Sequence, residues 1–193
     1  MRRSLLALVV FAAVSGMLGG CAGVVVGAGA TAGVAAFEER GIKGVASDTA
    51  TAAKIRSKVM EHSPALALKV GIEVYDNRVL LTGIVADEKA RADAVKLAWS
   101  VKDIDDVLNE LMIGSAGILD TARDGWISTQ LFTRMTGDEK VLAINYSIET
   151  VNGVVYLIGL AQNQAELDRV VNHARDIEHV RRVVSHVRVK KKA

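Results

Sequence analysis

The sequence predicts an α+β protein made of two copies of one small module, each with the element order α-β-β-α-β. Three observations lead to this prediction. The second half of the chain repeats the apolar pattern of the first half. Each copy contains a run in which apolar and polar residues alternate, the period of a half-buried strand. Each copy also carries helix-cap and hairpin-turn residues at corresponding positions.

The repeat has a constant offset of 76 residues and contains no gap. With this offset, residues Asp48–Ile113 align with residues Asp124–Val189. The linker Gly114–Arg123 joins the two copies. Identities are few, but the apolar pattern agrees throughout, which predicts two homologous domains with these boundaries. The identical pairs include Ile72 and Ile148, Glu73 and Glu149, Val79 and Val155, Leu81 and Leu157, and Gly83 and Gly159.

The first half of each module is predicted to be a helix followed by a strand. Alternating residues predict that strand from Leu66 to Val74 in copy one and from Leu142 to Thr150 in copy two. The opening helix before it has apolar residues at helical spacing, namely Ile55 and Val59 in copy one, and Ile127, Leu131 and Met135 in copy two.

The second half of each module is predicted to complete a three-stranded mixed sheet packed by two helices. Turns at Asp76-Asn77 and Asn152-Gly153 lead into return strands, because such dipeptides favour tight hairpins. Asp87 or Asn163 then caps a second helix. The predicted return strands are Val79–Val85 and Val154–Ala161, and the closing strands are Val107–Ile113 and Val183–Val189.

The first twenty residues have the layout of a secretory signal: Met1-Arg2-Arg3, an apolar run, and small residues before a cleavage point. Leu18-Gly19-Gly20-Cys21 resembles the bacterial lipobox. This resemblance implies cleavage after residue 20, fatty acylation (palmitate) at Cys21, and a Gly/Ala-rich tether over 21–47. Ala22, in place of the Asp of inner-membrane lipoproteins, implies the outer membrane. A transmembrane helix is the alternative, because Ser4 to Phe37 contains no charge.

The module itself resembles the BON domain. The resemblance rests on the glycine after the second strand, Gly83 or Gly159, and on an Ile/Val-x-x-Val step into the third. Two such modules behind a lipobox resemble the dual-BON outer-membrane lipoproteins, which face the periplasm from the inner leaflet and support envelope integrity under stress. That family binds anionic phospholipid through the first helix of its second domain. Carried over by position, this implicates Trp126, Gln130, Leu131 and Arg134.

Comparison of the two opening helices points to the same place. Trp126 stands where copy one has Ala50, and Phe132 stands where it has Arg56. At 100° per residue, Trp126 points away from the core stripe, toward polar and basic neighbours, which suits a membrane interface. The alternative is that Trp126 packs on the first domain or the linker. Phe132 lies at the flank of the core stripe and is expected in the core.

Composition and motifs exclude other classes. Without Arg2 and Arg3 the chain has 22 basic and 22 acidic residues, so a role in nucleic-acid binding is not indicated. The four histidines lack metal-site spacing, and nucleophile motifs are missing, so no enzyme, metal, cofactor or small-molecule substrate is expected. A Gly-x-Gly-x-x-Ala run at residues 27–32 lacks the βαβ unit that a dinucleotide site needs.

Two further functions stay open at this stage: an accessory that binds outer-membrane assembly or secretion proteins, and a structural stress protein. The basic tail, residues 190–193, continues a run of cations that starts at Arg181. Such a tail either adds attraction to an anionic surface or is a solvated end.

Overall fold

The computed structural model describes residues 38–115 and 117–191. The predicted signal peptide, the lipidation site Cys21 and the tether up to residue 37 therefore lie outside the described residues. Within the described part of the chain, every helix is too short or too polar to cross a bilayer.

The two modules follow each other with the same element order. Copy one contains α1 (Gly41–His62), a short α2 (Pro64–Ala67), β1 (Val70–Tyr75), β2 (Arg78–Val85), α3 (Glu88–Trp99), β3 (Asp106–Asn109) and β4 (Met112–Ile113). Copy two contains α4 (Ile118–Thr136), a 3-10 turn (Ala143–Asn145), β5 (Tyr146–Val151), β6 (Val154–Ala161), α5 (Gln164–Arg175) and β7 (Arg182–Val189).

Each module has one mixed sheet, as predicted. In copy two, β6 pairs antiparallel with β5 and parallel with β7. In copy one, β2 pairs antiparallel with β1 and parallel with both β3 and β4, which are two pieces of the same edge. The α+β class and the α-β-β-α-β order are therefore confirmed.

The hairpins and caps of the two copies are also equivalent. Asp76 and Asn77 both have positive φ, as do Asn152 and Gly153, which is the geometry of type I′ turns. The first residue of the repeat secures each turn. The Asp48 carboxylate accepts bonds from the backbone N–H groups of Asp76 and Asn77, at 2.8 and 3.1 Å.

In copy two, the Asp124 carboxylate accepts from Asn152 and Gly153 in the same way, at 2.6 and 2.8 Å. These bonds fix the opening helix to the hairpin in each module. The second helices begin as predicted, since the side chains of Asp87 and Asn163 accept bonds from the backbone N–H three residues later.

The first strands are shorter than predicted. Residues Leu66 and Leu68 belong to a helical turn and its cap, because Pro64 stands in the first turn and the Ser63 hydroxyl accepts a bond from the Leu66 N–H. In copy two, Ala143–Asn145 forms a 3-10 turn before the strand begins. The predicted alternation is therefore wrong at these ends: Leu66 is buried in the helical turn, but Leu68 is 85% exposed and Leu142 is also exposed.

The opening helices are longer than predicted. Helix α1 begins at Gly41, inside the segment assigned to the tether, and Arg40 is paired with Asp48 at 2.6 Å. Helix α4 begins at Ile118, inside the linker 114–123, and Asp120 in its first turn favours that start. The linker is thus confined to about four residues, 114–117. Helix α4 is therefore longer by about a turn and a half than a helix beginning at the predicted domain boundary, Asp124.

Three apolar clusters hold the described residues together. Each module has its own core between helices and sheet, around Leu81 in copy one and Leu157 in copy two. The third cluster joins the opposite faces of the two sheets. It contains Tyr75, Leu80, Val154, Tyr156 and Ile158. The order of layers is therefore helices, sheet, sheet, helices.

Equivalent positions of the repeat meet across this interface. Glu110 and His186 occupy the same position in the two copies, and their side chains lie 2.8 Å apart. Glu73 on β1 and Glu149 on β5 also correspond, and the Glu73 carboxylate raises the pKa of Glu149 across the interface. Contacts between equivalent positions are the mark of a two-fold arrangement. The modules therefore pack as a pseudo-symmetric pair.

The Glu73–Glu149 pair has a titration that differs from that of free carboxyl groups. Burial raises the pKa of Glu73, while bonds from Ser147 and Glu149 oppose this. Burial first, and the Glu73 carboxylate second, raise the pKa of Glu149 to about 7, while Arg56 acts in the opposite direction. At neutral pH the two carboxyl groups therefore tend to hold one proton between them.

This pair predicts a pH dependence of stability. A raised pKa in the folded state means that its stabilisation is complete below the usual value near 4.5 and is lost as pH rises through about 7. Between pH 5 and 8, we expect the free energy of unfolding to fall by roughly 2 kcal/mol, measured by urea denaturation. The variant Glu149→Gln should remove most of this slope. The exposed control Glu139→Gln should keep it, and an unchanged slope in Glu149→Gln would contradict the assignment.

The C-terminal cations take part in structure. The Lys190 ammonium lies 3.0 Å from both carboxylate oxygens of Glu39, which precedes α1. Arg188 lies 3.4 Å from the Asp76 carboxylate. Lys190 is exposed to solvent and also forms this ion pair with copy one. Residues 192 and 193 lie outside the described range.

Candidate membrane-binding surface

Helix α4 has two faces that differ sharply in burial. Its inner face carries Ile127, Leu131 and Met135, which are fully buried in the core of copy two. These residues follow each other at intervals of four, so they form one stripe along the helix. Every residue about half a turn from this stripe must face away from the sheet.

The outer face is a stripe of apolar and basic side chains. Leu119 is 79% exposed and Trp126, seven residues later, is 45% exposed. Arg123 lies between them and Gln130 follows one turn after Trp126, at the spacing of one helix face. We refer to Leu119, Arg123, Trp126, Gln130 and Arg134 as the outer stripe.

Trp126 is held by a neighbour of its own domain. Its ring meets the His179 ring edge-on, with centroids 6.4 Å apart and planes at 60°. His179 has positive φ in the loop between α5 and β7. Because nearly half of the indole stays exposed, this contact orients the ring without covering it. The aromatic contact of Trp126 thus lies within its own module.

The C-terminal end of α4 is fixed by a network around Asp138. This carboxylate accepts bonds from Arg169 at 2.7 and 3.0 Å, and His173 lies 2.7 Å away. The His173 bond, followed by the backbone N–H of Lys140 and then Arg169, lowers the pKa of Asp138 to about 2. Arg134 is exposed, and its guanidinium is 3.5 Å from the His173 carbonyl oxygen. The outer stripe thus lies on a well-anchored helix.

Two sequence predictions for this helix are wrong. Leu131 was implicated in lipid contact by family position, but it is 0% exposed because it lies one turn from both Ile127 and Met135 on the core stripe. Phe132 was expected in the core, but it is 55% exposed. Its position lies about 100° beyond Leu131, past the edge of the surface that the sheet covers.

Sequence reasoning also missed part of the stripe. Leu119 and Arg123 lie in the predicted linker, but the structure places them on α4. The available signal was their spacing, because Leu119 lies four residues before Arg123 and seven before Trp126, and Arg123 lies three before Trp126. The contact with His179 could not be predicted, because it joins loop and helix through the fold. Of the predicted residues, the structure brings Trp126, Gln130 and Arg134 to one side of α4, where Trp126 and Arg134 are exposed and Gln130 is half-buried.

Comparisons with known proteins agree with this architecture. The model of the BON domain family matches residues 47–115 and 123–191. A chain of Anaplasma centrale, described as an uncharacterized protein in the gshII 5′ region, is 35% identical over 145 residues, covering 74% of this chain and 95% of its own length.

Two further relatives have informative names. Outer membrane lipoprotein DolP of Haemophilus influenzae is 28% identical over 169 residues, covering 86% of this chain and 87% of its own. Osmotically-inducible protein Y of Escherichia coli is 25% identical over 146 residues, covering 74% and 73%. With both modules matched by the family model, the chain belongs to the BON domain family and carries two BON domains, consistent with a DolP-like protein.

Proposed function

We propose that this protein is a lipid-anchored envelope protein that binds anionic phospholipid through the outer stripe of its second BON domain. The observation that carries the proposal is the exposed Trp126, which shares one side of α4 with the apolar Leu119 and the cations Arg123 and Arg134. An indole ring is favoured at the boundary of headgroups and acyl chains, and cations beside it attract anionic headgroups.

The location proposed is the inner leaflet of the outer membrane, facing the periplasm, with a fatty acyl anchor on Cys21 after removal of the signal peptide. The lipobox-like sequence supports this proposal, as does the similarity to an outer membrane lipoprotein. The similarity to an osmotically inducible protein supports a role in envelope integrity under stress. We propose a binding role and not a catalytic one.

Anchor and stripe would act together. An acyl anchor gives firm attachment, while the stripe alone would bind weakly. Once the anchor holds the protein at the bilayer, a weak second contact is made at high effective concentration. The stripe would then orient the modules and favour patches rich in anionic lipid.

The test is co-sedimentation of residues 38–193 with vesicles of phosphatidylglycerol or of phosphatidylcholine. This fragment keeps both cores and the contacts of Glu39 and Arg40. We expect binding to the anionic vesicles only, weakened by salt. Trp126→Ala should reduce the affinity about tenfold, because a large apolar side chain leaves the interface. Trp99→Ala is the matched control, since Trp99 on α3 of copy one has a similar exposure of 51%.

Each outcome has a clear meaning. Loss of binding in Trp126→Ala but not in Trp99→Ala supports the proposal. Equal losses in both variants, or no binding of the unchanged fragment to anionic vesicles, would overturn it and favour a protein partner for the outer stripe.

A further inference from the structure

A cleft lies at the seam between the two modules, next to the start of α1. Copy one supplies Glu39, Arg40, Tyr75, Asp76 and Arg78, and copy two supplies Gly159, Leu160 and Arg188. Its volume is about 150 Å³. Pockets for drug-sized ligands measure roughly 300–1,000 Å³, so this cleft fits only a small chemical group.

Arg78 is an unusually buried cation in this cleft. The residue is only 8% exposed, although guanidinium groups are rarely taken from water without full pairing. One terminal nitrogen donates to the His186 carbonyl oxygen at 2.8 Å. The Nε donor has no hydrogen-bond partner among the described residues, and the Asp106 carboxylate is 3.7 Å from it.

A second guanidinium increases the positive potential. Burial first, and the charge of Arg188 second, lower the pKa of Arg78, so the two cations repel each other. Arg188 is half exposed, and its contact with the Asp76 carboxylate is long, at 3.4 Å. Arg188 is thus free to turn toward another anion.

Tyr75 adds a third donor without an acceptor. Its residue is buried, and its hydroxyl has no hydrogen-bond partner among the residues that the structure describes. Burial raises the pKa of Tyr75 to about 12, so the hydroxyl stays protonated and able to donate. The Arg40 guanidinium lies 4.3 Å from the centre of the Tyr75 ring and holds its position.

The carboxylates of the cleft are largely engaged. Glu39 is paired with Lys190 through both oxygens. Asp76 has only the long contact with Arg188 and is therefore the group that competes for this cation. Arg40 is already paired with Glu38 and Asp48. What is left over is donor capacity on Arg78, Arg188 and Tyr75.

We propose that this cleft binds a phosphate group, held by Arg78 and Arg188 with Tyr75 as an additional donor. A phosphate offers several acceptor oxygens to two guanidinium groups, which bind it in fork geometry. The site needs both modules, since Arg78 and Arg188 come from different copies. It is separate from the outer stripe, so it stands or falls independently of the proposed membrane contact.

The experiment measures the thermal midpoint of the full chain in an uncharged detergent, with inorganic phosphate added against a chloride background of equal ionic strength. At a concentration about ten times the Kd, we expect a rise of roughly 3–6 °C. Arg188→Gln should abolish this shift. Arg175→Gln, the same change of charge at an exposed position on α5, should leave it intact.

A second variant tests the competition in the opposite direction. Asp76→Asn should strengthen phosphate binding several-fold, because it frees Arg188, and asparagine tolerates the positive φ of this turn. Loss of the shift in Arg188→Gln together with gain in Asp76→Asn cannot come from a simple change in folding. No shift in the unchanged protein, or equal shifts in all variants, would overturn the proposal.

The source of the phosphate is tested with glycerophosphoglycerol, the soluble headgroup of phosphatidylglycerol. A shift with this diester as well as with inorganic phosphate indicates a lipid headgroup site. A shift with inorganic phosphate alone indicates a site for free phosphate. Both results support an oxyanion site in the cleft.

Discussion

Replacing Gly159 by alanine is expected to lower the free energy of unfolding by about 3 kcal/mol or more. Gly159 has a φ of +153°, and a Cβ at this position would overlap the backbone carbonyl oxygen of Asn145. The partner atom is backbone in the 3-10 turn before β5, so it cannot move aside as a side chain could. Gly83 is in the same situation against Lys69, which explains a glycine at this position in both copies.

The measurement is urea or thermal denaturation, in which Gly159→Ala should lower the midpoint by roughly 6–12 °C. The matched control is Gly125→Ala. Gly125 lies within α4, and a Cβ there would meet no atom within 4 Å. Alanine should therefore stabilise that helix by about 0.5–1 kcal/mol. Equal effects of the two substitutions would show that β5 and β6 do not approach each other as described.

Leu131→Ala is expected to lower the free energy of unfolding by about 2–5 kcal/mol, the range for a leucine removed from a packed core. Leu131 is fully buried in the core of copy two, between Ile127 and Met135 on one helix stripe. The neighbouring Phe132→Ala should change stability by no more than about 0.5 kcal/mol, because Phe132 is mostly exposed. Urea denaturation of both variants is the measurement.

A conservative change separates a core role from lipid contact. Leu131→Met keeps the volume of the side chain and should cost less than about 1.5 kcal/mol. Its binding to anionic vesicles should equal that of the unchanged protein, in contrast to Trp126→Ala. A reduced vesicle affinity in a folded Leu131→Met variant would mean that Leu131 reaches the membrane, and the core position would be wrong.

Features set by local chemistry could be predicted from the sequence. Asn152-Gly153 adopts positive φ readily, and Asp87 and Asn163 cap helices with their own side chains, so these features depend on few neighbours. The alternation on β1 and β5 reports which side of the sheet is buried. Because the repeat has no gap, each weak secondary-structure signal occurs at the same position in both copies. This agreement is why the element order and the fold class were predicted correctly.

Features that depend on packing could not be predicted. The start of α1 at Gly41 is supported by the pairing of Arg40 with Asp48 and by contact of Glu39 with Asn145 of the other module. Neither of these two contacts produces a local pattern in the sequence. The pairing of Glu110 with His186 likewise exists only because two sheet faces meet. From the sequence of a single module, the strand residues on those faces are expected to be half-exposed. They become buried only when the two modules pack together.

For the candidate surface, helical periodicity predicted where Trp126 points, and this orientation holds. Family position alone suggested Leu131, which geometry rules out as an exposed contact. The periodicity argument fails at Phe132 because the width of the covered surface depends on neighbours, not on the helix itself. Leu119 is not predicted as part of this surface because it lies in the predicted linker, where α4 has already begun.

The pairing of equivalent positions has a consequence for how the two modules can diverge. Two separate but identical modules packed in this way would place the same side chain on both sides of their symmetry axis. Glu73 and Glu149 still show that identity, with two acids whose pKa values are raised by burial. At Glu110 and His186, joining the modules in one chain has allowed different residues, and an acid now faces a potential cation. Because the two modules are joined in one chain, equivalent positions at their interface can carry different residues, and each side of the interface can change separately.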